Sequence, residues 1–288
     1  MFDNIFAAIE KWMRELLTGM VESNMSTMFT DVNEKTSEIA AQVGRTPQNW
    51  NSSVFSMIQN LSESVVVPIA GIIITLVLCY ELISMLTERN NLHDVDTWMF
   101  FKYFVKAWVA IYLVSNTFTI TMAVFDVGQS VVNSASGIIN GETAIDVSSL
   151  SMQMQAAMAT MEIGELVVLA LETFLVSFCM KIMSVVITVI VYGRMIEIYL
   201  YTSLAPIPFA TMSNREWGHV GTNYFRGLFA LAFQAFLMMV CVAIYAALIS
   251  SVRISSNMHS ALIGVAAYTV ILCFSLMKTG SLSKQIFG

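Results

Sequence analysis

Arg194 and Glu197 are the residues whose types and spacing first suggest chemistry. Opposite charges three positions apart share one helix face and can form an ion pair. They stand in residues 193–212, GRMIEIYLYTSLAPIPFATM, in the middle of a strongly apolar region. A charge at the bilayer centre costs about 2.5–3.5 kcal/mol on insertion scales, so pairing or contact with water is required there. Pro206 and Pro208 remove two backbone donors, and Ala205 and Ile207 before them are expected to leave helical angles. The helix is therefore expected to end near Leu204, and the segment reads as re-entrant or broken. Glu172 and Lys181, nine residues apart, lie on roughly opposite faces of the preceding helix. Each is expected to face another helix or a wet interior, an interhelix ion pair being the structural alternative. His93 beside Asp94 and Asp96 has metal-binding ligand types, but a lone histidine in an acidic loop is more commonly solvated, and no metal is assigned. There is no phosphate loop, nucleophile arrangement, paired histidine set or GxGxxG, so no catalytic residue and no cofactor is expected. The chain reads as not an enzyme.

The elements that must position these residues are helices in a membrane. The chain is 57% hydrophobic and 12% charged, with a mean hydropathy of +0.71. Soluble domains carry about 25% charged residues. A net charge of −6 offers no basic face for tight nucleic-acid binding. Cys79, Cys179, Cys241 and Cys273 lie in apolar runs without metal spacing and read as small packing residues. The expected fold class is all-α: a polytopic membrane protein with about five transmembrane helices, a broken segment at 193–212 and amphipathic helices at the N-terminus.

Residues 1–64 form the expected amphipathic head. Phe2, Ile5, Phe6, Ile9, Trp12, Met13, Leu16 and Leu17 follow helical spacing, and Asp3, Glu10, Lys11, Arg14 and Glu15 fill the other face. Packing on the protein itself and lying at the lipid interface are equally supported. Val21, Met25, Met28, Val32, Ile39 and Val43 continue a weaker stripe, and 44–53, with Pro47, breaks the helix. The head is too polar to span. Residues 65–125 hold spans one and two, at 65–86 with Pro68 in the opening turn and at 99–125 with Lys102, Lys106, Trp98 and Trp108 at the interface. Residues 126–163 form an extracytoplasmic loop, within which 151–161 can make a short helix. Residues 164–288 form the transmembrane core, with spans at 165–192, 224–249 and 261–277, the broken segment, and a short tail.

Charge counting sets the expected orientation. Residues 126–162 carry four acids and no Lys or Arg. If they face outward and 193–212 does not cross, Arg89, Lys102, Lys106, Arg194, Arg215, Arg226, Lys278 and Lys284 all lie on the cytoplasmic side, and Arg253 alone lies outside. The head, with eight acids against four bases, is then outside and the tail inside.

The run RMIEIYLYTSLAPIPFAT at 194–211, followed by NREWG at 214–218 and the apolar span beyond, resembles the TrbL family. These are polytopic inner-membrane subunits of type IV secretion and conjugation systems, also described as the sixth VirB-type component. Arg194, Glu197, Ala205 and Pro206 match the pattern of a charged helix running into an Ala-Pro stop. The resemblance covers 165–288 well and the earlier spans more loosely. The chain differs from longer relatives in its short central loop and in having no large soluble C-terminal extension. It is similar to compact versions found in mobile elements of Gram-positive bacteria. The resemblance implies a non-enzymatic part of a translocation channel in the cytoplasmic membrane. Its implied cargo is single-stranded DNA with its relaxase, or effector protein. It also implies partners (a secretion ATPase, a coupling ATPase and a bitopic assembly factor), membrane lipids around the chain, and a homo-oligomeric ring. Arg194, Glu197, Pro206, Pro208, Glu172 and Lys181 are then the candidate structural or pore residues. A stand-alone transporter or ion channel and a membrane immunity or scaffold protein are the alternative classes.

Overall fold

The computed structural model describes residues 2–87, 97–139, 147–252 and 258–288, and all of its regular structure is helical. The loop with His93, Asp94 and Asp96, the acids Glu142 and Asp146, and Arg253 lie outside the described residues.

From Phe2 no proline interrupts the chain before Pro47, and residues 2–43 form one unbroken helix, α1 (Phe2–Val43). Its stripe Val21, Met25, Met28, Val32, Ile39 and Val43 is buried, each residue at or below 4% exposure. Ile5, Phe6, Ile9, Trp12 and Leu16 instead remain exposed, while Met13 and Leu17 are half-buried, so among the described residues the first part of the amphipathic face is only partly covered. Gly44 to Thr46 break the helix, and α2 (Pro47–Trp50) and α3 (Ser52–Leu61) restart it. The Thr46 hydroxyl accepts the Asn49 amide, and the Asn51 side chain accepts that of Val54.

The first span is longer than its apolar core. α3 runs through a π-helical stretch, Ser62–Val66, into α4 (Val67–Thr87), giving a continuous Ser52–Thr87. Pro68, expected in the opening turn, therefore lies inside a helix. The π turn passes the Val67 amide back to the Ser62 carbonyl. This wider turn accommodates a ring that has no amide to offer and would crowd the Ser64 carbonyl in a regular helix. The second span, α5 (Thr97–Ser115), stops at Asn116 and is followed by α6 (Thr117–Ile139). The first part of the expected outer loop, from Asp126 to Ile139, is thus helical. α7 (Val147–Met158) supplies the short helix anticipated near 151–161.

α8 (Ile163–Ser203) joins the third span and the charged helix into one 41-residue element. At about 1.5 Å per residue it is twice as long as a hydrocarbon core is thick. α9 (Pro206–Thr211), α10 (Gly218–Ser250) and α11 (Met258–Phe287) complete the chain. Among the described residues, five helices are long and apolar enough to cross a membrane: Ser52–Thr87, Thr97–Ser115, Ile163–Ser203, Gly218–Ser250 and Met258–Phe287. The protein is an all-α, multi-pass membrane protein. Of the cysteines, Cys273 is buried and Cys241 half-buried, but Cys79 and Cys179 are exposed rather than packed.

The residues fall into two compact units. One comprises 1–43, 134–191 and 238–279; the other comprises 44–133, 192–237 and 280–288. In the second, α9 packs against α4 and α5, where Phe209 and Ala210 meet Ala70, Ile74, Leu78, Ala110 and Val114. A neighbouring cluster joins Val124 and Phe125 to Met195, Ile198, Leu228 and Leu231.

Candidate functional site

The broken segment is a helix end followed at once by a helix start. Thr202 and Ser203 turn their hydroxyls back onto the carbonyls of Ile198 and Leu200, at 2.9 and 2.8 Å, as α8 ends. This agrees with the stop expected near Leu204. The expected departure from helical angles does not occur, because Ala205 lies at φ −50°, ψ −40° and Pro206 opens α9. Both prolines fall in the first turn of α9, where backbone amides have no intrahelical partner to lose. The prolines therefore start the second helix at least as much as they end the first.

Close packing holds this segment. The Tyr201 and Tyr224 rings stack at 4.4 Å and 8°. The Tyr201 hydroxyl donates to the Tyr224 carbonyl at 3.1 Å, and the Tyr224 hydroxyl donates to the Tyr201 carbonyl at 2.7 Å. α10 admits these neighbours through glycines. A Cβ on Gly227 would lie 2.2 Å from the Tyr201 hydroxyl, and one on Gly221 would lie 2.5 Å from the Pro208 carbonyl oxygen.

Arg194 and Glu197 are on one helix face as expected, but the structure pairs them with other groups. The Arg194 guanidinium is buried, donating to the Leu231 carbonyl at 3.4 Å, while its Nε has no hydrogen-bond partner. Glu197 instead pairs with Lys284 of α11 at 3.0 Å, on the surface. The residue spacing permits the Arg194–Glu197 pair, but a third helix and a buried pocket take the two side chains in different directions.

NREWG forms a polar knot that ties α10 to α4 and α5. The Asn214 side-chain oxygen accepts the Glu216 and Trp217 amides at 2.7 and 3.0 Å, and its nitrogen donates to Glu81 at 3.2 Å. Glu81 also pairs with Lys106 of α5. The Tyr80 hydroxyl donates to Glu216 at 2.9 Å while the Tyr80 ring stacks on Trp217. Glu81 is a site residue that sequence reasoning missed, although a lone carboxylate in an otherwise apolar span is a signal that could have found it. Lys106, expected only to snorkel, has this partner, and Lys102 lies over the Trp98 ring at 5.7 Å.

In the other unit, Glu172 and Lys181 behave differently from each other. Glu172 pairs with His259 at the start of α11, a helix-to-helix contact of the expected kind. Lys181 is exposed. These two residues are not brought together, as their spacing implied. Among the described residues no group of His, Cys, Asp or Glu has metal-binding geometry.

A family model described as "TrbL/VirB6 plasmid conjugal transfer like protein" matches residues 32–206, more than half of the chain. The match contains Arg194, Glu197, Ala205 and Pro206 and stops there, so it rests on the earlier spans and leaves NREWG and α10–α11 outside, the reverse of the coverage expected from the motif. No curated protein and no solved structure matches the chain. Five spans, a charged helix running into an Ala-Pro turn, and a match over most of the sequence between them agree: the chain belongs to the TrbL/VirB6 plasmid conjugal transfer family.

Proposed function

We propose that this protein is a channel or scaffold subunit of a type IV secretion machine. It would help move single-stranded DNA bound to its relaxase, or effector protein, across the cytoplasmic membrane. The observation that carries the reading is the family match over residues 32–206 in a chain with five candidate spans. The family is a structural component of transfer systems, which fits a part that holds and shapes a path while ATP-driven partners supply work. A secretion ATPase, a coupling ATPase and a bitopic assembly factor are the partners this role requires, with several copies of the chain forming a ring. Positive charge on Arg215, Arg226, Lys278 and Lys284, against the acids of 126–162, favours an outward N-terminus and a cytoplasmic tail. In this reading the Tyr201–Tyr224 lock and the Asn214 knot hold the broken segment rigid, and Arg194 is a buried charge with few partners of its own.

The test is transfer frequency from a donor carrying an in-frame deletion of the gene. Loss of transfer, restored by the intact gene, is the expected result. Undiminished transfer overturns the assignment, and solute flux in liposomes then tests the transporter alternative.

A further inference from the structure

The head helix does not stand apart from the transmembrane core. Arg14 donates to the Met161 carbonyl at 2.8 Å, Asn24 to the Thr173 hydroxyl at 3.5 Å, and Lys35 to the Thr188 hydroxyl at 3.3 Å. The partner numbers rise together, so α1 and α8 run parallel and side by side. From position 14 to position 35 this spans about 30 Å at the helical rise. A cavity of about 20 Å³ near Lys35 is lined also by Tyr245 of α10 and Thr269 of α11, so α1 packs within a four-helix group there.

The outward faces of the two neighbours differ in kind. α8 exposes Val168, Leu171, Phe174, Phe178, Val185 and Val189, each at 57% or more. That apolar surface is about 30 Å long, the thickness of a hydrocarbon core. Lys181 interrupts it, with a long stem that can lie along apolar surface while the ammonium reaches outward. Over the same depth α1 exposes Ser23, Ser26, Thr30, Glu34 and Ser37, with Glu22, Asp31 and Glu38 half-buried beside them. Between Val21 and Val43 no large hydrophobic side chain of α1 is exposed, whereas Ile5, Ile9, Trp12, Leu16 and Met20 are exposed on the same side earlier in the helix. Charges and hydroxyls at hydrocarbon depth must face water or protein, not lipid.

We propose that residues 23–41 of α1 form the wall of a water-filled lumen at membrane depth, closed off from lipid by further copies of this chain. The apolar face of α8 meets lipid beside it, the two faces adjoining where Phe174 borders Ser23. The wall carries small hydroxyls and carboxylates, a hydrated surface whose one base, Lys35, is half-buried and paired with Glu38. The proposal deepens the channel reading and rests on it only for what passes.

The test is nitroxide accessibility in the full chain reconstituted in liposomes. Labels are placed at Ser26→Cys and Glu34→Cys on α1, and at Phe174→Cys and Val185→Cys on α8, after replacing the native cysteines. The α1 labels are expected to collide at least fivefold more with a water-soluble nickel chelate than the α8 labels, which should favour oxygen and report mid-bilayer depth. At full labelling, spins at position 34 should also broaden one another across the shared lumen. Oxygen preference at 26 and 34 overturns the proposal, as does chelate access at 174 and 185, which would place this part of α8 outside the bilayer. Absence of broadening overturns enclosure by copies. If the cysteine-free chain fails to fold, Ser26→Cys in the native background gives a second readout. A charged thiosulfonate should modify position 26 and spare Cys179, which is exposed on α8; the reverse pattern sinks the idea. Because accessibility is read in purified protein, this result and the deletion phenotype can fail independently.

Discussion

Tyr201 and Tyr224 each donate a hydroxyl to the other's backbone carbonyl, at 3.1 and 2.7 Å, across rings stacked 4.4 Å apart. The arrangement ties the last turn of α8 to the second turn of α10, so the short α9 between them is clamped at both ends. Tyr224→Phe removes one of the two bonds and is expected to cost about 1 kcal/mol, lowering the thermal midpoint of detergent-purified protein by about 2–4 °C. An unchanged midpoint would show that the reciprocal bonds do not hold the clamp.

Gly221→Ala is expected to be the more damaging change, costing about 1–3 kcal/mol. Its new methyl meets the Pro208 carbonyl at 2.5 Å, and that backbone cannot yield without moving α9 off α4 and α5. Gly71→Ala, where the added carbon meets nothing within 4 Å, is the control and should be neutral or slightly stabilising. Equal thermal midpoints for the two variants would contradict the packing argument.

Arg194 and Glu197, whose direct bonds go to different groups, are expected to couple only weakly. Glu197→Gln breaks a surface pair with Lys284 and should change stability by less than about 1 kcal/mol. Arg194→Met replaces a buried guanidinium that has few partners by an apolar chain, and should leave the protein level and thermal midpoint near wild type. If the buried charge serves transfer, transfer frequency falls in Arg194→Met at normal protein level. Full transfer would assign Arg194 to packing alone. A double-mutant cycle showing strong coupling between 194 and 197 would contradict their separate partners.

Asn214 both caps a turn and contacts a carboxylate, and substitution can separate these roles. Asn214→Ala should cost about 1–2 kcal/mol through loss of the acceptor for two amides. Asn214→Asp keeps that acceptor but sets a second carboxylate against Glu81, so it should be no better than alanine until Glu81→Gln is added. Failure of the second substitution to restore the thermal midpoint would remove Glu81 from the knot.

The contact between Glu172 and His259 makes a geometric prediction. In a chain whose native cysteines are replaced, Glu172→Cys with His259→Cys should be joined by a short bifunctional thiol reagent and tie α8 to α11. Lys181→Cys with the same partner should not. Cross-linking of both pairs alike would mean that α8 rotates freely against α11.

Some of this was decided by the sequence alone. Apolar runs of spanning length, with few charges, dictate helices in a bilayer whatever surrounds them, because unpaired backbone groups there are too costly. The buried stripe from Val21 to Val43 and the helix stop after Ser203 follow from 3.6-residue spacing and local backbone chemistry, which act over a few residues. Tertiary structure decided the rest. Spacing shows that Arg194 and Glu197 can meet, but not that Lys284, 87 positions later, takes the carboxylate. Proline statistics disfavour helical angles at Ala205, yet packing of α9 between α4 and α5 holds them there. Counting charges makes α1 a separate head, since its acids exclude it from lipid. Only its side-by-side register with α8 carries that polar face along the candidate span, because long-range packing can supply water or protein where local sequence assumes hydrocarbon.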